Sequence, residues 1–278
     1  MTISNCGHKK FCVTKEDKLL TSSSSKGNQD KWMKDGCWLK ADFLGYEGLA
    51  EYVSSQLYKS FGVFEEFPAV EYGLCVIQDE TGNIRAGCFC KNFLQPGENM
   101  LTIGRLLLLA DGAYEKKYKR LSMAEKFMYV VDIVTKHTGL ISFRKWLAIL
   151  LQWDAFILNE DRHLFNIGVI SKENGKYDLM PIFDNGAAFF SDTSKDYPIT
   201  MPLKVCCKKI KSKPFSTSFA TQLKAVPIKY QSEYKKSYSK SPEIDWSMAN
   251  ANYSPEEIYR VKTIVKQQIG RLTDSQLR

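Results

Sequence analysis

The chain is 278 residues long, carries 39 Lys and Arg against 31 Asp and Glu for a formal net charge of +8, and is 44% hydrophobic. It is too apolar to be disordered and long enough for one large domain or two lobes sharing a core. No bilayer span is expected, because the most apolar run, WLAILLQWDAFIL (146–158), falls short of the roughly 20 residues needed and contains Gln152 and Asp154.

The N-terminal MTISNCGHKKF has no apolar h-region, so a Sec signal peptide is not expected. The cysteines at 6, 12, 37, 75, 88, 90, 206 and 207 form no CxxC pair, and Cys6, His8 and Cys12 lack a fourth ligand at metal-site spacing. Unpatterned cysteines fit a reduced, cytoplasmic protein, with export by a non-Sec route left open.

In chain order, SSSSKGNQ (22–29) is a low-complexity patch and CWLKADF (37–43) has strand character. GYEGLAEYVSSQLYKSFG (45–62) reads as a helix with Leu49, Val53, Leu57 and Phe61 along one face. AVEYGLCVI and IRAGCFCKNFL flank DETGN and predict a hairpin, and QPGEN (95–99) marks a boundary between a 1–95 lobe and a 96–278 lobe. Beyond it the pattern turns helical. LSMAEKFMYVVDIVTKH opens on a capping box, Ser122 and Glu125, and a buried helix follows over 143–158. FNIGVI (165–170) and YDLMPIF (177–183) form a second hairpin around Asn174-Gly175. Between Lys204 and Lys240 stand ten lysines against the single acid Glu233, a strip suited to an acidic partner such as phosphate, membrane or nucleic acid. A last helix starts at Ser254, Pro255 and Glu257. The whole is an α+β pattern, strand-rich first and helical after.

The residues that carry chemistry cluster around NEDRHLFN (159–166). The second hairpin sets Asn166 and Asp184 at its open end, on neighbouring strands, and two hard oxygen ligands there suit Mg²⁺ completed by substrate phosphates. Asp161, five residues before Asn166, lies on the loop aimed at the same place. D-x-x-x-x-N followed by a strand-borne Asp is the arrangement that phosphoryl transfer needs: one carboxylate to orient a hydroxyl and take its proton, and metal ligands for the cations that neutralise phosphate. Lys40, on a strand directly before a helix, is placed to pair with nucleotide phosphates, and Glu47 and Glu51, one turn apart, are both candidates to hold it. SSSSKGNQDKW has one glycine where a kinase loop has three, yet its backbone amides can cradle phosphate. His163 either touches phosphate or bonds backbone and holds the loop in shape.

GNQDKW, WLKADFLGYEGLAE, NEDRHLFNIGV and PIFDNGAAF, in this order and with KPFSTSF (213–219) after them, resemble HipA-like serine/threonine kinases over residues 18 to 225. The resemblance is to the compact branch, typified by a Helicobacter kinase, which lacks the extra N-terminal subdomain. It implies a bilobed protein-kinase-like fold, with ATP and Mg²⁺ as cofactors and a protein Ser or Thr hydroxyl as acceptor. By that resemblance Asp161 is the catalytic base, Asn166 and Asp184 hold Mg²⁺, Lys40 contacts ATP phosphates, and Glu51 pairs with the lysine. Gly27 and Ser25 belong to the phosphate loop, where Ser22, Ser23, Ser24 and Ser25 are candidates for autophosphorylation. Cys90 to Leu94, with Cys90 and Phe93, form the hinge on which adenine stacks. FDN replaces the DFG of eukaryotic-type kinases. Contacts to a DNA-binding antitoxin are not carried over, so DNA binding is not expected, and a toxin, effector or housekeeping role is not distinguished.

Two other readings compete. DRHxxN with a downstream aspartate also resembles phosphoinositide kinases, and the lysine strip suits an acidic head group. A different class is a pseudokinase or a nucleic-acid-binding module using the strip; a pure nucleic-acid binder would show affinity that falls steeply with salt and does not depend on ATP.

Overall fold

The computed structural model describes residues 9–19, 29–238 and 241–276, with side chains of the final helix described to 273. Strands β1 (Lys9–Cys12), β2 (Lys31–Lys34) and β3 (Cys37–Ala41) are followed by helix α1 (Glu47–Tyr58), the short α2 (Val63–Glu66), and strands β4 (Gly73–Gln78) and β5 (Ile84–Lys91). These strands form a five-stranded sheet in the order β1-β4-β5-β3-β2, in which β1 and β4 run parallel and the other pairs are antiparallel. The β4–β5 hairpin turns at Asp79–Asn83, where the Asp79 carboxylate accepts the backbone N–H of Thr81 and Asn83. Leu49, Val53 and Leu57 of α1 are fully buried, which turns the apolar stripe of the helix inward. The predicted helix over 45–62 is shorter in the structure: the chain turns at Ser60 and Phe61, and residues 63–66 start a separate helical turn.

The rest of the described chain holds β6 (Glu98–Thr102), α3 (Ile103–Ala110), α4 (Tyr114–Arg120), α5 (Met123–Thr138), α6 (Phe143–Ile157), β7 (Gly168–Lys172), β8 (Tyr177–Leu179), α7 (Leu203–Lys209), α8 (Phe219–Leu223), α9 (Ile228–Ser237) and α10 (Pro255–Gln276). The capping box at Ser122 and Glu125 is present in both directions, and α5 stops at Gly139 in the left-handed conformation that glycine adopts without strain. Helix α6 is the centre of the core. Of its residues, Trp146, Leu147, Leu150, Leu151, Trp153 and Ile157 are all buried, and α8, α9, α5 and α10 pack on it. Trp153 meets Tyr58 of α1 edge-on at 4.8 Å, so the first helix and the central helix share one hydrophobic core.

Two expectations change here. A strand begins within QPGEN, at Glu98: β6 pairs antiparallel with β7, making a three-stranded sheet of what reads as a hairpin. The hairpin strands are also shorter than predicted. Asn166 closes a turn on the carbonyl of His163, and Pro181, which has no N–H to donate, follows the end of β8. Asn166 and Asp184 therefore lie in loops beyond the strand ends rather than on neighbouring strands.

The basic strip becomes three short helices and their connections. Lys204, Lys208, Lys209, Lys211, Lys224, Lys229, Lys235 and Lys236 are exposed, whereas Lys213 turns inward and Lys240 lies outside the described residues. No described helix is long and apolar enough to cross a membrane, and the described cysteines are all free thiols.

Candidate active site

A solvent-open cleft lies where α1, the loop after α6 and the segment after β8 meet, and Lys31, Glu47, Glu160, Asp161, Asn166 and Asp184 are among the residues lining it. The strand β3 delivers the buried Lys40 behind Asp184, one of the lining residues. Its Nζ lies 2.6 Å from Glu51 Oε1 and 2.7 Å from Asp184 Oδ1, joining three residues up to 144 positions apart in sequence. Burial works against the charge of Lys40, but Asp184 and Glu51 hold it well above the ordinary lysine value. Between the two glutamates of α1 the geometry decides: Glu51 faces Lys40, while Glu47 folds back to accept the backbone N–H groups of Phe43, Leu44 and Gly45 at the start of its own helix. The other carboxylate oxygen of Glu51 accepts the N–H of Asn185 at 2.8 Å, so the same side chain fixes the chain on both sides of the Lys40–Asp184 pair.

Asp184 has φ near 59°, the left-handed region, which Asp tolerates better than bulky residues do. The residue lines the cleft. Burial alone would raise its pKa, yet the charges of Lys40, Lys31 and Arg162 and the hydrogen bond from Lys40 hold it far below the usual carboxylate range. Phe189 and Phe190 also adopt positive φ, an uncommon conformation for bulky side chains, a few residues on. The segment around them is pinned. Phe189 N donates to the Ile157 carbonyl, Tyr46 Oη donates to the Phe189 carbonyl, and the guanidinium of Arg260 on α10 donates to the carbonyls of Tyr197, Pro198, Ile199 and Met201.

The catalytic-loop candidates are organised by Arg162, a residue the motif reading left without a role. Its buried guanidinium pairs with Asp154 at 3.0 Å, and it donates to the carbonyls of Asn166 and Phe183 and to Asn185 Oδ1. One side chain thus sets the spacing between the Asn166 loop and the Asp184 segment. The signal for it was visible: an acid, Asp154, inside an otherwise apolar helix, with an arginine eight residues on. Asn166 Nδ2 donates to the Asp161 carbonyl at 3.1 Å, which leaves its amide oxygen available to a cation. His163 Nδ1 accepts the N–H of Phe165 at 3.2 Å, the loop-shaping arrangement, and its Nε2 is 3.9 Å from Asp161 Oδ2; burial depresses its pKa.

Cys90 and Phe93 are not among the residues lining the carboxylate cleft. They pack in a small apolar cluster with Val70, Tyr72, Cys88, Trp38 and Phe183. That cluster borders the site, since Phe183 directly precedes Asp184 and the Tyr72 ring lies 5.3 Å from Lys40 Nζ. Gly27 and Ser22 to Ser25 lie outside the described residues. Lys31, which faces Lys40 across the β2–β3 pair, and Lys213, whose Nζ is 2.7 Å from Asp161 Oδ1, complete the charged surroundings; neither was assigned a role from the sequence.

Among the described residues no group of three or more His, Cys, Asp and Glu side chains could hold a metal ion by itself. Among the oxygens lining the cleft, Asn166 offers an amide oxygen and Asp184 an ionised carboxylate. That set fits Mg²⁺, which takes few protein ligands and completes its shell with water and phosphate.

A small five-stranded sheet backed by one long helix, joined across this cleft to a larger, mainly helical body, defines a mixed α+β, bilobed, protein-kinase-like fold. Among solved structures the chain is similar to the Helicobacter pylori proinflammatory kinase CtkA, with a TM-score of 0.61 and 15% identity over 95% of this chain and 96% of that one. HipA of Shewanella oneidensis MR-1, solved with HipB and its operator DNA, matches at a TM-score of 0.42 and 11% identity over 92% of this chain and 65% of that one. These similarities are of fold. No family model and no curated protein matches the sequence.

Proposed function

We propose that this chain is an ATP- and Mg²⁺-dependent kinase that transfers the γ-phosphoryl group to a Ser or Thr hydroxyl of a protein. The observation that carries the reading is the buried Lys40–Glu51–Asp184 cluster, whose Asp184 lines one cleft with Asp161 and Asn166. A scaffold has no chemical need to pair a buried lysine with two carboxylates beside an amide and a further acid.

In this reading residues 1–95 bind the nucleotide and residues 96–278 carry the catalytic loop. Lys40 binds the nucleotide phosphates and Glu51 orients it. Adenine lies toward Cys90 and Phe93, and Gly27 and Ser25 lie over the phosphates. Asn166 and Asp184 hold Mg²⁺, which when bound neutralises phosphate charge. Asp161 orients the acceptor hydroxyl and takes its proton, as general-base chemistry requires a carboxylate within hydrogen-bond reach. Ser22 to Ser25 are the proposed autophosphorylation sites, and the exposed lysines of α7–α9 favour an acceptor or partner with acidic character.

The test is intact mass of phosphatase-treated protein incubated with Mg-ATP, beside Asp161→Ala. Added phosphate on the wild type alone supports the reading. Absence of both self-modification and ADP release in the wild type overturns it.

A further inference from the structure

The lysine that touches the catalytic carboxylate comes from neither the nucleotide side of the cleft nor the loop that bears Asp161. Lys213 lies 52 residues beyond Asp161, in the connection between α7 and α8, and places its Nζ 2.7 Å from Asp161 Oδ1. Its backbone is braced to an unusual degree for a surface connection. Gln222 of α8, fully buried, donates through Nε2 to the Lys213 carbonyl at 2.9 Å and accepts through Oε1 the N–H of Phe215 at 3.0 Å and of Ser216 at 3.3 Å. Buried Ser212 donates its N–H to the Thr217 carbonyl and its hydroxyl to the Ser216 carbonyl. The Phe215 ring is buried against Phe127 of α5. The stem of the loop is therefore set into the core, while the Lys213 side chain itself remains 39% exposed.

The core contacts of Phe215, Gln222 and Ser212 order the loop; the Lys213 ammonium, at the partly exposed end of its pair with the buried Asp161 carboxylate, is not needed for that bracing. The placement has a chemical use instead. Lys40 pairs with Glu51 and Asp184, whereas Lys213 pairs with Asp161, the carboxylate that the kinase reading assigns to the acceptor hydroxyl. A lysine suits that place better than an arginine, being a compact charge on a flexible stem rather than a rigid fork.

We propose that Lys213 is a catalytic residue of this site, its ammonium bridging the Asp161 carboxylate and the γ-phosphoryl group during transfer; the proposal rests on the kinase reading above. The acceptor oxygen forms its bond to the γ-phosphorus as the bond to the β,γ-bridging oxygen breaks. The electron pair of that bond stays with ADP, and the acceptor proton passes to Asp161. Lys213 exchanges no proton. It holds the Asp161 oxygen toward the acceptor and neutralises charge on the equatorial phosphoryl oxygens, an interaction made more fully in the transition state than in the ground state.

The experiment compares wild type, Lys213→Met and Lys213→Arg for ADP release with Mg-ATP, for Mg-ATP affinity by calorimetry, and for thermal midpoint. The expected result is a fall in kcat of about 10²–10³-fold for Lys213→Met, the size seen when one transition-state donor is removed. Mg-ATP affinity should change less than threefold and the midpoint should be retained, with partial recovery in Lys213→Arg. A kcat within threefold of wild type in Lys213→Met overturns the proposal and leaves the kinase reading standing. So does an affinity loss as large as the kcat loss, which would make Lys213 a ground-state contact only, or a kcat loss that tracks a lowered midpoint in both variants. A wild type that releases no ADP removes the kinase reading and this proposal with it.

Discussion

Replacing Arg162 by Met removes the charge that holds two loops of the cleft in register, and the structure permits the cost to be worked through. Arg162 is 1% exposed and Asp154 is fully buried, so the truncation leaves a carboxylate in the core with Asn159 Nδ2 as its remaining hydrogen-bond donor from a side chain. Breaking a buried pair by removing one partner costs about 3–5 kcal/mol. Bonds to the Asn166 and Phe183 carbonyls and to Asn185 Oδ1 are lost as well. Against a total stability of about 5–15 kcal/mol, the thermal midpoint should fall by about 6–20 °C. The double variant Arg162→Met with Asp154→Leu removes the stranded charge, so it should regain most of the lost stability. Nucleotide-dependent turnover should stay low, because nothing then spaces the Asn166 loop from the Asp184 segment. Thermal denaturation with ADP release on the same samples separates the two effects. A single variant within about 3 °C of wild type, or a double variant no more stable than the single one, would refute the argument that the buried charge sets the cost.

Asp161→Ala and Asp184→Ala should each reduce phosphoryl transfer to background, and Asp184→Ala should also lower the thermal midpoint because it takes one of two carboxylates from the buried Lys40 ammonium; wild-type-like turnover in either would strike that residue from the mechanism. Lys40→Ala should weaken Mg-ATP binding by about 10–100-fold, or about 1.4–2.8 kcal/mol, and an unchanged dissociation constant by calorimetry would remove it from the nucleotide site. Arg260→Ala leaves the carbonyls of Tyr197, Pro198, Ile199 and Met201 without their shared donor. It should speed limited proteolysis within 191–201 and lower stability by about 2–4 kcal/mol; an unaltered cleavage rate would mean that other contacts hold the segment.

Much of this architecture is written locally. The alternation around DETGN, the Asn-Gly turn, the capping boxes at Ser122 and Ser254 and the apolar face of α1 are short-range signals, and each lies at a matching element boundary or turn in the structure. Asp161, Asn166 and Asp184 could be singled out because their spacing and the hairpin between them restrict where they can be. β6 escaped notice because its five residues carry little pattern, and its pairing with β7 is made across some 70 positions.

What the sequence by itself determined was the set of chemical groups and the local frames that carry them. The tertiary structure decided which groups meet. Spacing along α1 cannot tell Glu47 from Glu51, since both fall within one turn; the choice is made by where β3 delivers Lys40 and by Glu47 being drawn to the backbone amides of its own helix start. Nor can any local pattern bring Lys213 to Asp161 or Arg260 to the carbonyls after Phe190. Those contacts depend on how α8 and α10 pack against the core, and packing is a property of the whole chain at once.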